Sequence, residues 1–403
     1  MAFSEHALPT TDEEVWRYGR IDDFDLDSFA PAPDDAATDE VFRPDVLESL
    51  EGQHAAIVIL RNGRVVDLQV REDLAAKGLR VASAGETDAD LVGAVIRQQG
   101  VDVGDEVPDP FVTLNQAFVV EPVVVDVPAG LAVDGAIVVA HWSQGENAAT
   151  FPRLVVHAGQ DSDASVIEIQ VSGAERSLVV PVTEILAERD ARVGHVTLQQ
   201  LGLATWQLGY QVSSVDTGGS LHSSSVGFGG DYARLRTDCR LVGRGATGHL
   251  DAVYFGEGEQ TLDFRTFQDH VAPDCVSNLL FKGAVGGRSQ SVYTGLIRVG
   301  EGAHGTNAFQ TNRNIKLSDG AWAWSVPNLV IGNNDVRCSH ASAVGPIDEE
   351  QRFYLESRGV PSDVAERLIV AGFFGEVLDK LPVRGLATPL QHTVSTKFER
   401  REA

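Results

Sequence analysis

From about Val120 to Cys338 the chain is written in short apolar runs broken by glycine. Val123-Val124-Val125, Ala136-Ile137-Val138-Val139 and Val166-Ile167-Glu168-Ile169 are bounded by turn residues and too short for helices, so the pattern predicts strands. Alternation is clean in the stretch that places Leu235, Thr237, Cys239 and Leu241 on one face and Arg234, Arg236, Asp238 and Arg240 on the other. Cys239 therefore faces a core. Strands recurring at such intervals over roughly 200 residues suit a sandwich, a barrel or a β-helix. No strict hexapeptide or nonapeptide repeat selects among the three.

The flanks follow other periods. Thr11-Asp12-Glu13-Glu14 has the form of a capping box opening a short helix through Val15, Trp16 and Tyr18, with the aromatics expected in packing. Residues 31–45, rich in Pro, Ala and Asp, read as an exposed connection. Ala56 to Val66 reads as a hairpin turning on Asn62-Gly63, a pair suited to a type I′ turn. A helix is expected from Asp88 to Gln99, on Leu91, Val92, Val95 and Ile96. Beyond Gly345 the helical period returns: Asp348 caps a helix that stops at Gly359, and Ser362 caps a second. That second helix carries Val364, Leu368, Ile369, Phe373, Val377 and Leu381 on a broad apolar face. From Arg384 onward the chain is polar and reads as a frayed tail. The organisation expected is a helical and α/β region at 1–119, the strand-rich core at 120–345, a helical domain at 346–383 and a tail at 384–403.

Composition narrows the setting. With 403 residues the chain is long enough for a large core, and 58 acidic against 32 basic residues give a formal net charge of −26. That balance disfavours nucleic acid or anionic membrane as partners and suits solubility or a basic protein partner. The three cysteines do not make a disulfide framework, there is no charged-then-apolar leader, and the expected compartment is cytoplasmic. Apolar runs fall far below the roughly 20 residues a membrane span requires.

The candidate chemistry lies in Val336-Arg337-Cys338-Ser339-His340. As a strand it puts Cys338 and His340 on one face, about 7 Å apart. Those are two donors, and a closed iron or zinc site wants about four. No CxxC, HxxxH or HExxH lies near to complete the set, so a cluster here has to borrow ligands. On spacing alone the pair is better read as a buried cysteine beside a hydrogen-bonded strand-end histidine. His270 reads as a structural histidine in a turn or core hydrogen bond, and the other histidines are scattered singly. No G-x-x-x-x-G-K-[ST] occurs, so the chain has no P-loop ATP site, and neither G-x-S-x-G nor H-E-x-x-H appears.

The run TNRNIKLSDGAWAWSVPNLVI, followed by DVRCSHASAVGPIDEEQRFYLESRGV, resembles the C-terminal signature of the SufB and SufD family, the scaffold proteins of SUF iron-sulfur cluster assembly. The likeness continues upstream in Asp269-His270-Val271-Ala272-Pro273, Ser277-Asn278, Lys282 and Gly295-Leu296-Ile297-Arg298-Val299. Weaker echoes reach Glu14 to Tyr18, Asn62 to Arg64 and Leu114 to Phe118. SufB-like chains read CEHEA where this one reads Cys338-Ser339-His340-Ala341, so the chain is similar to the SufD branch. It departs from the family at Val330, where a Glu is usual, and at Cys275, where Thr or Ser is usual.

The resemblance implies a mainly β fold: a right-handed parallel β-helix core, a small N-terminal α/β region and a C-terminal helical domain. It implies a non-catalytic scaffold that pairs with a SufB-like paralogue and binds a SufC-like P-loop ATPase. His340, with Cys338 as ligand or core residue, would contribute to a transient iron-sulfur cluster at a subunit interface. The helical end would hold the ATPase, with Phe353, Tyr354, Leu355, Arg358 and Gly359 as contacts. A competing reading is a carbohydrate-active β-helix enzyme of polysaccharide-lyase type, against which the lack of a secretion signal counts. A self-sufficient SufB-like scaffold is disfavoured by Ser339 and Ala341.

Overall fold

A strand covered on both faces has no solvated side, and every residue of Thr261–His270 is buried, its charged members included. The computed structural model describes residues 8–33, 54–85, 88, 90–99 and 109–400. Successive strands alternate between two sheets of ten and twelve strands. Thr205–Val215, Tyr232–Leu241, Thr261–His270, Gln290–Val299 and Trp322–Ile331 follow one another in one sheet. Ser220–Gly227, Thr247–Gly256, Val276–Val285, Thr306–Lys316 and Val336–Pro346 follow in the other. Each of these neighbours pairs in parallel, giving a β-solenoid of about 8 turns with a helical C-terminal region. Of the architectures the strand pattern left open, the β-helix is the one adopted.

The coil repeat resides in the backbone. Asp161, Asp190, Gly218, Gly245, Asp274 and Gly305 all have φ between 57° and 73° at corresponding corners. Each donates its N–H to a carbonyl of the next coil, from Asp161 to Arg189 at 2.9 Å through to Gly305 to Asp335 at 2.8 Å. Only residues that tolerate the left-handed region suit these corners, and glycine and aspartate share the task.

Between the sheets the interior is mixed. Apolar layers such as Val166, Leu221, Leu250, Leu279 and Tyr293 form one core. Cys239 belongs to it, as its alternation predicts. A polar stretch is hydrogen-bonded within itself: Gln207 donates to Gln170 at 2.6 Å, and Gln199 to Gln207 at 3.1 Å.

The outer faces are covered by the flanks. Trp16, Ile21, Phe111 and Leu114 lie on Phe151, Leu178, Trp206 and Tyr232. The helix expected at the capping box is instead a series of turns with a 3-10 turn at Ile21–Asp23. The reason is that the Thr11 hydroxyl bonds Asp22 and its N–H also goes to Asp22, so the cap is spent on a tertiary contact. Trp16 packs as expected, whereas Tyr18 is exposed and stacks on Trp324 at 6.0 Å. The hairpin forms between His54–Arg61 and Arg64–Val70, with Asn62 and Gly63 at φ 49° and 80°. The helix expected over 88–99 begins only at Ala94, because Gly93 adopts φ 80° and gives its N–H to Glu184 at 2.8 Å. Of the connection expected at 31–45, Pro31 pairs with Ala149 as part of a short strand, and residues 34–45 lie outside the described residues.

Of the C-terminal helices Glu349–Ser357, Ser362–Leu378 and Ala387–Arg400, the last two cover the ten-stranded sheet, and the first, with no buried residue, packs on the second. Asp348 caps the first by accepting from Glu350 and Gln351, as read from the sequence. The second is preceded by Pro361 as its cap, so Ser362 is its first helical residue and caps nothing. Its buried face is Ala365, Val370, Phe374, Val377 and Leu378; of the face expected, Val377 is buried, Phe373 and Leu381 pack half-buried against the same core, and Leu368 is exposed. The expected frayed tail is likewise a helix, held by Leu390, Val394 and Phe398, whose four-residue spacing makes a narrow apolar stripe among polar neighbours. Two buried lysines anchor this layer. Lys282 Nζ donates to Phe373 O at 2.9 Å and pairs with Glu376, and Lys397 Nζ donates to Phe228 O and to Glu257, both at 2.7 Å.

Candidate functional site

Trp322–Ile331 and Val336–Pro346 are the terminal strands of the two sheets, each paired on one side only. Their outer edges carry backbone groups that no strand of this chain meets among the described residues. The register Ala308↔Cys338 and Gln310↔His340 sets both candidate ligands on the inward row of the last strand, at the open end of the solenoid. His340 is exposed. Cys338 is half-buried against Ile297, Val299, Ala303 and Ala308. Burial pushes its thiol up, with a backbone hydrogen bond at Ala308 working the other way, so at neutral pH the isolated chain presents a thiol rather than the thiolate a metal requires.

Among the described residues no group of three or more His, Cys, Asp or Glu could hold a metal ion. An exposed imidazole at the end of an open sheet fits a cluster whose remaining ligands come from another chain. It does not fit a closed site within this one.

The residues of the TNRN run support this end from within. Tyr254 Oη donates to Asn314 Oδ1 at 2.7 Å and accepts from Asn312 Nδ2 at 3.0 Å, and Asn314 Nδ2 donates to Asn312 Oδ1 at 2.8 Å. Sequence reading missed this triangle, because Tyr254 is nearly sixty residues from its partners; their separation in sequence is 58 and 60. His270 is the structural histidine expected: it is buried, and its Nδ1 lies 3.2 Å from Arg298 O. Cys275 is buried with Sγ 3.4 Å from Gly243 O, and burial pushes the Cys239 thiol to about 11. Neither is a ligand candidate.

The helical end leaves a groove of about 930 Å³ lined by Pro346, Tyr354, Leu355, Leu368, Ile369 and Phe373. Leu368, exposed, and Ile369 and Phe373, half-buried, all belong to the expected apolar face. Phe353 is 71 % and Tyr354 58 % exposed, and Arg358 lies over the Tyr354 ring at 5.3 Å. Gly359, at φ 86°, turns the chain from one helix to the next.

Residues 141–373 match the family described as SUF system FeS cluster assembly, SufBD core domain. The chain belongs to the SufBD family. A SufBD family protein of Mycobacterium tuberculosis is 34 % identical over 284 residues, covering 68 % of this chain and 69 % of the relative. SufD of Bacillus subtilis is 25 % identical over 368 residues, 90 % of this chain and 83 % of its own. SufD of Escherichia coli is 34 % identical over 164 residues, 41 % and 39 % of the two chains. The chain is SufD-like, and membership of the SufBD family assigns it a role in SUF iron-sulfur cluster assembly. Among the described residues no helix is long and apolar enough to cross a membrane.

Proposed function

We propose that this SufD-like chain is a non-catalytic scaffold subunit, acting in the cytoplasm, that pairs with a SufB-like paralogue and binds a SufC-like P-loop ATPase. His340 contributes an imidazole to a transient cluster built at the boundary between the paralogues, with the cluster as cargo rather than a resident group. The observation that carries the reading is the place of His340: exposed, on the inward row of a terminal strand whose outer edge is unpaired. A second chain joined there would satisfy the edge and bring the missing ligands in one step. Cys338 supplies a second donor only if the partner draws its thiol out of the apolar contacts that now hold it.

Apolar side chains left uncovered at the groove between the first two C-terminal helices support an ATPase contact there. Truncation before Pro346 is a poor test, since it would strip Val370, Phe374 and Phe398 from the sheet they cover. Tyr354→Ala with Leu368→Ala leaves the buried face intact. Co-expressed with both partners, that double variant should keep its melting temperature and lose the co-purifying ATPase. Undiminished ATPase recovery would remove the groove from the account.

A further inference from the structure

Behind His340, one strand inward and in direct register, stands Gln310. It is 1 % exposed, and among the described residues neither its Nε2 nor its Oε1 has a hydrogen-bond partner. A buried polar group left unmet is costly, and native interiors contain few such groups. Deeper in the same solenoid, Gln170, Gln199 and Gln207 satisfy one another, so an interior glutamine has a way of being paired. At Gln310 the facing sheet offers an absence instead: a Cβ on Gly295 would collide with Gln310 Nε2, so only glycine leaves the amide its place. Gln268 on that sheet is also unpartnered, two residues along from Thr266, the register partner of Gly295. The interior near this end thus holds two unmet amides, and one of them, Gln310, stands in register with an exposed histidine.

We propose that Gln310 is a positioning residue for His340. Neighbouring strands lie about 4.8 Å apart, within reach of a hydrogen bond between a glutamine and a histidine in register. Gln310 Oε1 accepts the N–H of the imidazole nitrogen turned inward, which fixes the tautomer and leaves the other nitrogen's lone pair directed outward for iron. In the isolated chain, with no metal to orient the ring, the amide is left unmet. The inference rests on the reading of His340 as a cluster ligand.

The test uses the complex co-expressed with a SufB-like chain and a SufC-like ATPase and purified without oxygen. Gln310→Leu, Gln310→Glu and His340→Ala are compared by iron and sulfide content, by iron retained against a chelator series, and by melting temperature. Gln310→Leu should retain iron about 10- to 100-fold less tightly, the effect typical of losing an outer-shell partner. The melting temperature of the isolated chain should be unchanged or higher, because there an apolar side chain of similar size replaces an unmet amide. Gln310→Glu should recover most of the retention, since a carboxyl oxygen accepts the same N–H. If His340→Ala loses the cluster while Gln310→Leu retains iron as tightly as the parent, the positioning role is overturned and the ligand role stands. If His340→Ala keeps its cluster, both fall. Should Gln310→Leu lower the melting temperature, Gln310→Met repeats the comparison. Iron loss that tracks instability in both and is not rescued by Gln310→Glu makes the residue purely structural and overturns the proposal.

Discussion

Tyr254→Phe removes one oxygen from the interior behind the terminal coil and leaves the ring packed on Phe264 at 4.7 Å, so the cavity term is small. The cost comes from two amides. Asn314 Oδ1 loses a 2.7 Å donor and keeps only Ser291 Oγ at 3.4 Å; Asn312 Nδ2 loses its 3.0 Å acceptor and keeps Phe281 O at 3.4 Å. Each unmet buried group costs about 1 to 3 kcal/mol, and because each retains a long contact the lower half applies, giving about 2 to 4 kcal/mol in all. Urea unfolding should show that loss. Amide exchange should speed up first in Val276–Val285 and Thr306–Lys316, since a solenoid opens through its local interfaces. Adding Asn314→Leu to Tyr254→Phe should cost less than the sum of the two single changes, because they share a network. A loss below about 0.5 kcal/mol, the level of an ordinary surface change, would refute the claim that the TNRN asparagines exist to hold this end.

Phe374→Ala, emptying a fully buried site in the helical layer, should cost about 3 to 5 kcal/mol by calorimetry or urea, and a smaller loss would mean that the helix is not anchored there. Stability should also fall on mild acidification. Burial holds the imidazoles of His141 and His270 below the ordinary 6.5, in His141 despite Glu168 at 3.7 Å. Below that value the unfolded chain takes up protons that the folded chain refuses, so stability present above pH 6.5 is lost as the pH falls toward the folded values. His270→Gln should flatten the slope between pH 6.5 and 5, and an unchanged slope would contradict a neutral buried His270.

Strands were legible because their two buried faces leave uninterrupted apolar runs, and the hairpin because Asn62-Gly63 admits few other conformations. The coil period was not, since the repeating element is a left-handed corner filled by aspartate at Asp161 and Asp274 and by glycine at Gly218, so no single residue type marks it. Helix 362–378 misled for the opposite reason. Apolar residues stand on both sides of it, and the pattern did not say which side meets the sheet and which lines the groove. The capping box failed where Asp22 claimed Thr11. At the site, Cys338 and His340 on one face followed from alternation, but their placement at an open edge follows from the end of both sheets, which no local spacing encodes. Gln310 carried no signal, because an unmet amide is a property of the surroundings rather than of the residue.

The most direct measurement is iron and sulfide content of the co-expressed complex carrying His340→Ala, with the melting temperature of the chain alone. In the isolated chain the exposed imidazole satisfies no buried group, Gln310 being already unmet, so the account predicts a lost cluster in the complex and an unchanged melting temperature of the chain alone. A full complement of iron and sulfide in that variant would contradict it.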